Sequence, residues 1–448
     1  QPDSGDADGA VSAAPPMLPS DHPLRRSLAD EVHARPPEPL GTPSRVTYVA
    51  LRVEPEQRAT EREHLASLCR RFAVDPPGED ATHFSAWLGE HLRIKWERHG
   101  EFSGVTLFLP GLGATPFADT AAAQLPAGWL AAWPGQTMVA AHAELVDANE
   151  RAEQPAQLAA RFGGAIVVGA EIGEGAGMAF TDFRIQDDGF GRFVLVNRSF
   201  TPRQAGRMLQ RLFEIEAYRM MALLALPIAR SLSPRTVAIE NALASLTERI
   251  ASGIGDDEAL LQQLTKLAAE VESSLAASQF RFGACRAYHE LVTTRIAELR
   301  ERRLPGVQTI EEFMARRLSP AVATCLTASQ RLHQLSERVA QASALLSTRV
   351  DIARERQNQA LLSSMDRRAK LQLRLQQTVE GLSVAAIVYY VVGLVGYGAK
   401  AAKAAGAKIE PDLAVGLSIP LVAVAVIWAL RRTRRALHHA ESAPAPPA

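Results

Sequence analysis

Apolar positions cluster most densely near the end of the chain, where residues 381–399 and 413–430 form two uncharged stretches of 19 and 18 residues. A helix rising about 1.5 Å per residue needs roughly 20 apolar residues to cross a hydrocarbon core, so both stretches are long enough to span. Arg367, Arg368, Lys370 and Arg374 precede the first stretch, and Arg431, Arg432, Arg434 and Arg435 follow the second. Between them lie Lys400, Lys403 and Lys408, with Glu410 and Asp412 beside them. That asymmetry predicts a hairpin with both chain ends in the cytoplasm and the connecting loop outside. We assign 379–399 to the first span, 400–412 to the outer loop, 413–430 to the second span and 431–448 to a basic cytoplasmic tail.

Upstream, a helical pattern begins at Ser319-Pro320 and runs without an evident stop into the first span. Leu332, Leu335, Val339, Ala342 and Leu346 follow the 3,4 spacing of a coiled-coil seam, which slips near Val350 and resumes at Leu361, Met365, Leu375, Val379 and Leu382. Unbroken from 320 to 399, such a helix would be on the order of 120 Å long. It needs partners, either helices of its own chain or other copies. Further starts are read at Thr201-Pro202, at Ser233-Pro234 and at Asp256-Asp257, with a turn at Pro305-Gly306, giving a helical stalk over 201–378. The ten apolar residues 220–229 are too few to span and read as a buried core helix.

Residues 21–200 look different. Alternation at 46–53, 93–97, 102–109, 137–145, 164–171, 177–185 and 192–196 predicts strands, the later ones joined by Gly-rich turns as in a meander. With a helix at 56–72 they make an α/β cytoplasmic domain, so the fold class expected is α+β domain, helical or coiled-coil stalk and two-helix transmembrane hairpin. Residues 1–20, rich in Pro, Ala, Asp, Ser and Gly, read as a disordered tail.

Charge narrows the partners. The chain has 49 basic and 49 acidic residues, which gives no general attraction to nucleic acid. Cysteines 69, 285 and 325 lack both disulfide-framework and zinc spacing, as fits a reducing compartment. GEGAG at 173–177 lacks the Lys-Ser/Thr of a phosphate loop and precedes a strand rather than a helix. No cofactor, metal or enzymatic motif is expected.

The runs HPLRRSLADEVHARPPEPLGTPSRVTYVALRV at 22–53, HFSAWLG at 83–89, RIKWERHGEFS at 93–103, EIEAYRMMALLALP at 214–227 and TVEGLSVAAIVYYVVGLVGY at 378–397 occur in order. With them the chain after residue 20 resembles a bacterial family of uncharacterised membrane-anchored proteins, domain-of-unknown-function family 3422. The resemblance implies anchoring in a bacterial membrane and names no activity. Its densest polar groups are Glu31, His33 and Arg35, and Glu97, Arg98 and His99 with Glu101. They read either as proton-transfer pairs or, favoured here, as hydrogen-bonded groups that fix a Pro-rich turn and strand ends.

The order of elements also resembles CorA-type magnesium channels, homopentamers whose first spans line the pore and end in Tyr-Gly-Met-Asn. Here that text is Tyr397-Gly398-Ala399-Lys400, a departure that argues against magnesium selectivity. In the first span Gln376, Ser383, Tyr390 and Tyr397 recur every seven residues, with Glu380 expected on nearly the same face. In a homo-oligomer, of five chains if the resemblance holds, this stripe is a candidate pore lining, with Glu380 as an acidic ring and Lys400 as a positive outer ring. The alternative is an ordinary packing face. The two readings of function are therefore an oligomeric, CorA-like ion conduit in the lipid bilayer and a membrane-tethered scaffold without transport activity.

Overall fold

The computed structural model describes residues 19, 21–26, 28–29, 36–148, 158, 160–406, 408 and 410–441, with backbone only at 430, 431 and 433–441. The chain forms two compact units, Gln1–Ser343 and Ala344–Ala448.

The first unit is built on a sheet of eight strands: β1 (Ser44–Arg52), β2 (His83–Leu88), β3 (Leu92–Arg98), β4 (Ser103–Pro110), β5 (Gln136–Asp147), β6 (Val168–Ile172), β7 (Gly177–Thr181) and β8 (Gly191–Asn197). Their order is β2-β3-β4-β1-β5-β8-β7-β6. All neighbours are antiparallel except β5 and β8, which run parallel from Ala141 opposite Gly191 to Asp147 opposite Asn197. The meander expected for the later strands is β6-β7-β8. β2 is a strand that the sequence marked only as a motif, and the segments expected at 164–171 and 177–185 shorten to Val168–Ile172 and Gly177–Thr181. The free edge of β6 is closed by the segment after residue 300, where Gly169 N donates to Gln308 O at 2.9 Å and Glu171 exchanges two bonds with Arg302.

Central β1 is buried along nearly its whole length because both sheet faces are covered. On one face α1 (Arg58–Arg71) sets Leu65, Leu68 and Cys69 against Ile94, Trp96, Leu107, Trp129 and Trp133. On the other lies α2 (Pro202–Leu223), whose Leu209, Leu212 and Phe213 meet Tyr48, Ala143 and Phe193. α2 starts as the sequence requires. Thr201 N donates to Gln204 Oε1 at 2.9 Å, Gln204 N donates back to Thr201 Oγ1 at 3.4 Å, and Pro202 occupies the first helical position, where no N–H is missed.

α3 (Ala225–Ser252), α4 (Asp257–Leu299), α5 (Ile310–Arg317) and α6 (Ser319–Ala404) follow. The start read at Ser233-Pro234 is corrected: α3 runs straight through Pro234, and the break falls at Leu224. A proline removes one ladder bond, but buried Ala225, Ala229, Thr236 and Ile239 hold the helix on either side of it. The residues 220–229 are buried at Met221, Ala222, Ala225 and Ala229, as the core reading expects. α2 and α4 share one core with the sheet across the boundary read at 200/201, and the compact units divide at 343/344.

In the second unit the remainder of α6 is followed by α7 (Pro411–Glu441), with Gly406 (φ 96°) in the turn between them. Leu361, Met365, Leu375, Val379 and Leu382 of α6 are all exposed, whereas Leu332, Leu335 and Val339 in the first unit are buried. Two helical segments, Ile310–Ala404 and Pro411–Ala429, are long and apolar enough to cross a membrane.

Candidate functional site

Strand β3 places charge inside the first unit. Side chains alternate along a strand, so Arg93, Lys95 and Glu97 point to the α2 side while Ile94, Trp96 and Arg98 point to the α1 side. Lys95 and Glu97 are both buried, with Nζ 2.8 Å from Glu97 Oε1. Lys95 also donates to Pro36 O at 3.0 Å and to Gln210 Oε1 at 3.4 Å. Gln210 donates to Glu214 at 2.8 Å, Glu214 pairs with Arg295, and Arg295 reaches Glu298, which accepts from Arg211 at 2.9 Å. Buried Glu38 accepts from Arg93 and Ser85, each at 2.7 Å. Of these groups Glu38, Lys95, Glu97, Gln210 and Glu214, with Tyr48 and His99, line a cavity of about 30 Å³.

Such a volume holds about one water molecule. Burial, then the nearby Tyr218 and Glu97, keep the Tyr48 phenol far above its ordinary range, and burial does the same for Tyr218. Both phenols therefore stay protonated at neutral pH. Tyr48 stacks on Phe213 with ring centres 4.8 Å apart, and His99 stacks on Phe102 at 4.3 Å. The arrangement is a charge-balanced polar layer between sheet and helix, with room for about one water molecule.

The cluster Glu97, Arg98 and His99 is thus divided by the sheet. Arg98 lies on the opposite face, over the Trp96 ring at 5.0 Å and 3.8 Å from Glu61, whose Oε1 accepts from Trp96 Nε1 at 3.1 Å. Glu31, His33 and Arg35 lie outside the described residues. Sequence reading missed Tyr48, Lys95, Gln210 and Glu214. The charges at every second position of β3 were the available signal. Among the described residues no cluster of His, Cys, Asp and Glu could hold a metal. The GEGAG glycines serve packing, because a Cβ on Gly173 would stand 2.7 Å from the Phe200 ring and one on Gly177 2.2 Å from it.

In the second unit the seven-residue stripe falls on an open face of α6. Gln376, Ser383, Tyr390 and Tyr397 are exposed, whereas Val384, Val388, Val392 and Gly396, every fourth residue, are half-buried or buried. That covered row faces α7, and a Cβ on Gly396 would stand 3.0 Å from Val415 Cγ2. At about 100° per residue Tyr390 lies about 160° around the helix from Val388 and Val392, while Ser383 lies about 100° from Val384 and Tyr397 about 100° from Gly396. Glu380, expected beside Ser383, is half-buried and heads the covered row instead. Three residues turn the helix about 60° short of a full circle, and four overshoot by about 40°, so Glu380 sits closer to Val384 than to Ser383. Lys400 is exposed, about 60° from Tyr397 and about 40° from Gly396, and so continues the row that Glu380 heads. An apolar groove of about 980 Å³ runs between α6 and α7, lined by Val388, Gly393, Ile419 and Ala423 among others and also by Tyr390 and Tyr397 of the stripe.

These features define a mixed α/β protein with two helices able to cross a membrane. The chain belongs to the family described as protein of unknown function (DUF3422), whose profile matches residues 20–437. No curated protein and no solved structure matches it.

Proposed function

We propose that this is an integral protein of the bacterial inner membrane, anchored by α6 and α7 as a hairpin with both termini cytoplasmic. Several copies assemble so that the first spans surround a membrane path controlled by the cytoplasmic unit. The observation that carries this reading is the position of the stripe. Ser383, Tyr390 and Tyr397 are all exposed, and Tyr390 lies about 160° around α6 from Val388 and Val392 of the covered row, which is where a first span would line an axis with the second span outside it. The exposed apolar seam at Leu361, Met365, Leu375, Val379 and Leu382 supports contact between copies of α6, as a coiled coil that continues the span. α6 runs unbroken from Ser319 to Ala404, and a continuous helix is an element through which a cytoplasmic event can reach the membrane. The order of elements is CorA-like; the lining is not. No reaction and no cofactor is part of the proposal.

The test is the mass of the detergent-solubilised particle by light scattering, followed by ion flux in liposomes. A stable oligomer such as a pentamer, with flux that falls in Tyr390→Leu, supports the path. A monomer without flux in any salt ends it.

A scaffold reading is favoured by one observation: Ser383 Oγ bonds back to Val379 O at 2.9 Å, as hydroxyls do on packing faces. In that case the first unit binds other proteins, and residues 21–370 used as bait retain a specific partner. Empty eluates count against it.

A further inference from the structure

We propose that the first unit binds a small soluble ligand carrying phosphate, in a cavity between α2, α4 and the turn Gly173–Gly175. The inference does not rest on the path reading above. Gln204, Arg207 and Arg211 stand at i, i+3 and i+7 of α2 and share one face of it, and Thr294 and Glu298, four residues apart, share one face of α4. These two rows, with Arg300 just past the end of α4 and Gly173 and Glu174 of the turn, line a cavity of about 470 Å³. That is room for a small molecule.

Its charge is not balanced. Arg211 donates through Nε to the Glu298 carboxylate at 2.9 Å and through Nη1 to the Glu298 carbonyl at 3.1 Å, and Arg300 pairs with Glu174. Arg207 is exposed without a polar partner among the described residues. The Arg302 guanidinium, equally without one, stands 3.7 Å from where a Cβ on Gly175 would be. The nearest further acids are already matched, Glu171 by Arg198 at 2.6 Å and Glu214 by Arg295. Four guanidinium groups, those of Arg207, Arg211, Arg300 and Arg302, therefore meet the carboxylates of Glu174 and Glu298 alone.

Glu174 and Arg300 both have left-handed backbone, at φ 63° and 52°, a conformation seldom adopted by residues with a side chain and recurrent at ligand sites. Their pair is exposed on both sides, and such pairs contribute too little to account for two strained residues. The Glu174 carboxylate stands where a ligand anion would be held, and a stronger anion displaces it. Phosphate fits best, because guanidinium forks bond its oxygens in pairs and its double charge matches the surplus. The lining residues include no aromatic ring on which a base could stack and only Met208 and Ala297 as apolar side chains, which suits neither a nucleobase nor an acyl chain.

The experiment titrates the full chain in detergent with inorganic pyrophosphate at low salt, by calorimetry. One site per chain with a Kd of about 1 mM or tighter is expected, weakened about tenfold by Arg207→Gln and by Arg300→Gln. Glu174→Gln removes the competing carboxylate and tightens binding about threefold, a direction that loss of structure does not produce. No saturable heat up to about 10 mM pyrophosphate, or equal affinity in the wild type and Arg207→Gln, overturns the site. So does an equal loss in Arg303→Gln, whose side chain is held elsewhere by Glu312 at 3.4 Å, because it marks attraction to basic surface in general. Weaker binding in Glu174→Gln overturns the displacement, and with it the inference. Tighter binding of short-chain phosphatidic acid than of pyrophosphate, lost in the same arginine variants, overturns the soluble source in favour of a lipid headgroup.

Discussion

The two units treat the same apolar side chains in opposite ways. Leu65, Ile94 and Leu195 of the first unit are withdrawn from solvent, while Leu382, Leu394 and Leu421 of the second stand 68, 69 and 69% exposed. Charges are reversed as well. The first unit carries Lys95, Glu97, Glu61 and Glu144 inside it, with partners at 2.8 Å for the Lys95–Glu97 pair and 2.5 Å for Glu144 with Arg161. In the second, no charge lies between 381 and 399. A sheet covered on both faces meets water only at its rim and can keep charge inside if it is paired. A helix pair has too little volume to bury its own leucines, so within one chain those side chains stay uncovered.

The largest effect expected follows directly. Residues 21–343 should be soluble and cooperatively folded, and the full chain should sediment with membranes and come out only in detergent. Fractionation of the two forms checks this. A full chain in the soluble fraction breaks the contrast between the units.

Next comes the buried pair. Removing either member leaves an uncompensated charge, so Lys95→Met or Glu97→Leu should each cost about 3–5 kcal/mol, while the double variant costs clearly less than their sum. Urea unfolding of residues 21–343 measures all three. Additive losses mean that the two side chains act separately despite their 2.8 Å contact.

The spans were the easiest part to read because 19 uncharged residues need no tertiary knowledge. The buried layer was not legible in the same way. It joins Glu38, Lys95 and Gln210 from distant parts of the chain, and nothing local to any of them signals the others. The split of Glu97 from Arg98 was available from the period of two once β3 was taken as a strand covered on both faces. Glu380, expected on nearly the same face as Ser383, lies about 60° from it and is half-buried. Pro234 misled because a proline after serine reads as a start, whereas the packing of α3 on both sides of it decided otherwise.

A pH measurement sharpens the contrast again. His142 is buried beside Phe190, with Nδ1 2.9 Å from Thr47 Oγ1, and burial followed by the nearby Arg192 pushes its pKa down to about 4. Unfolded, it titrates near 6.5, so below that pH the unfolded chain binds the proton first. Stability from this group is complete above about pH 6.5 and falls as the pH drops toward 4, by about 3 kcal/mol in all. Urea midpoints across that window should be flatter in His142→Gln. Equal slopes mean that the ring reaches water when charged.

The smallest effect compares two glycines, one in each unit. Gly206 lies on α2 beneath the segment 36–40, and a Cβ there would stand 1.8 Å from Glu38 O. The segment cannot simply lift. Leu40 N donates to Pro202 O at 2.9 Å, the Glu38 carboxylate holds Arg93 and Ser85, and Pro36 O accepts from Lys95. Alanine is the better helix former by about 1 kcal/mol, but displaced backbone outweighs that gain, so Gly206→Ala should destabilise by about 1–3 kcal/mol. Gly393 in α6 has nothing within 4 Å of its Cβ position. Within one chain Gly393→Ala should therefore be neutral or stabilising by up to about 1 kcal/mol. If it instead lowers the particle mass in detergent, the open side of Gly393 is occupied by another copy, since small residues on membrane helices serve close approach. The sign at Gly206 tests the fit of the first unit, and the mass at Gly393 tests what fills the space beside the second.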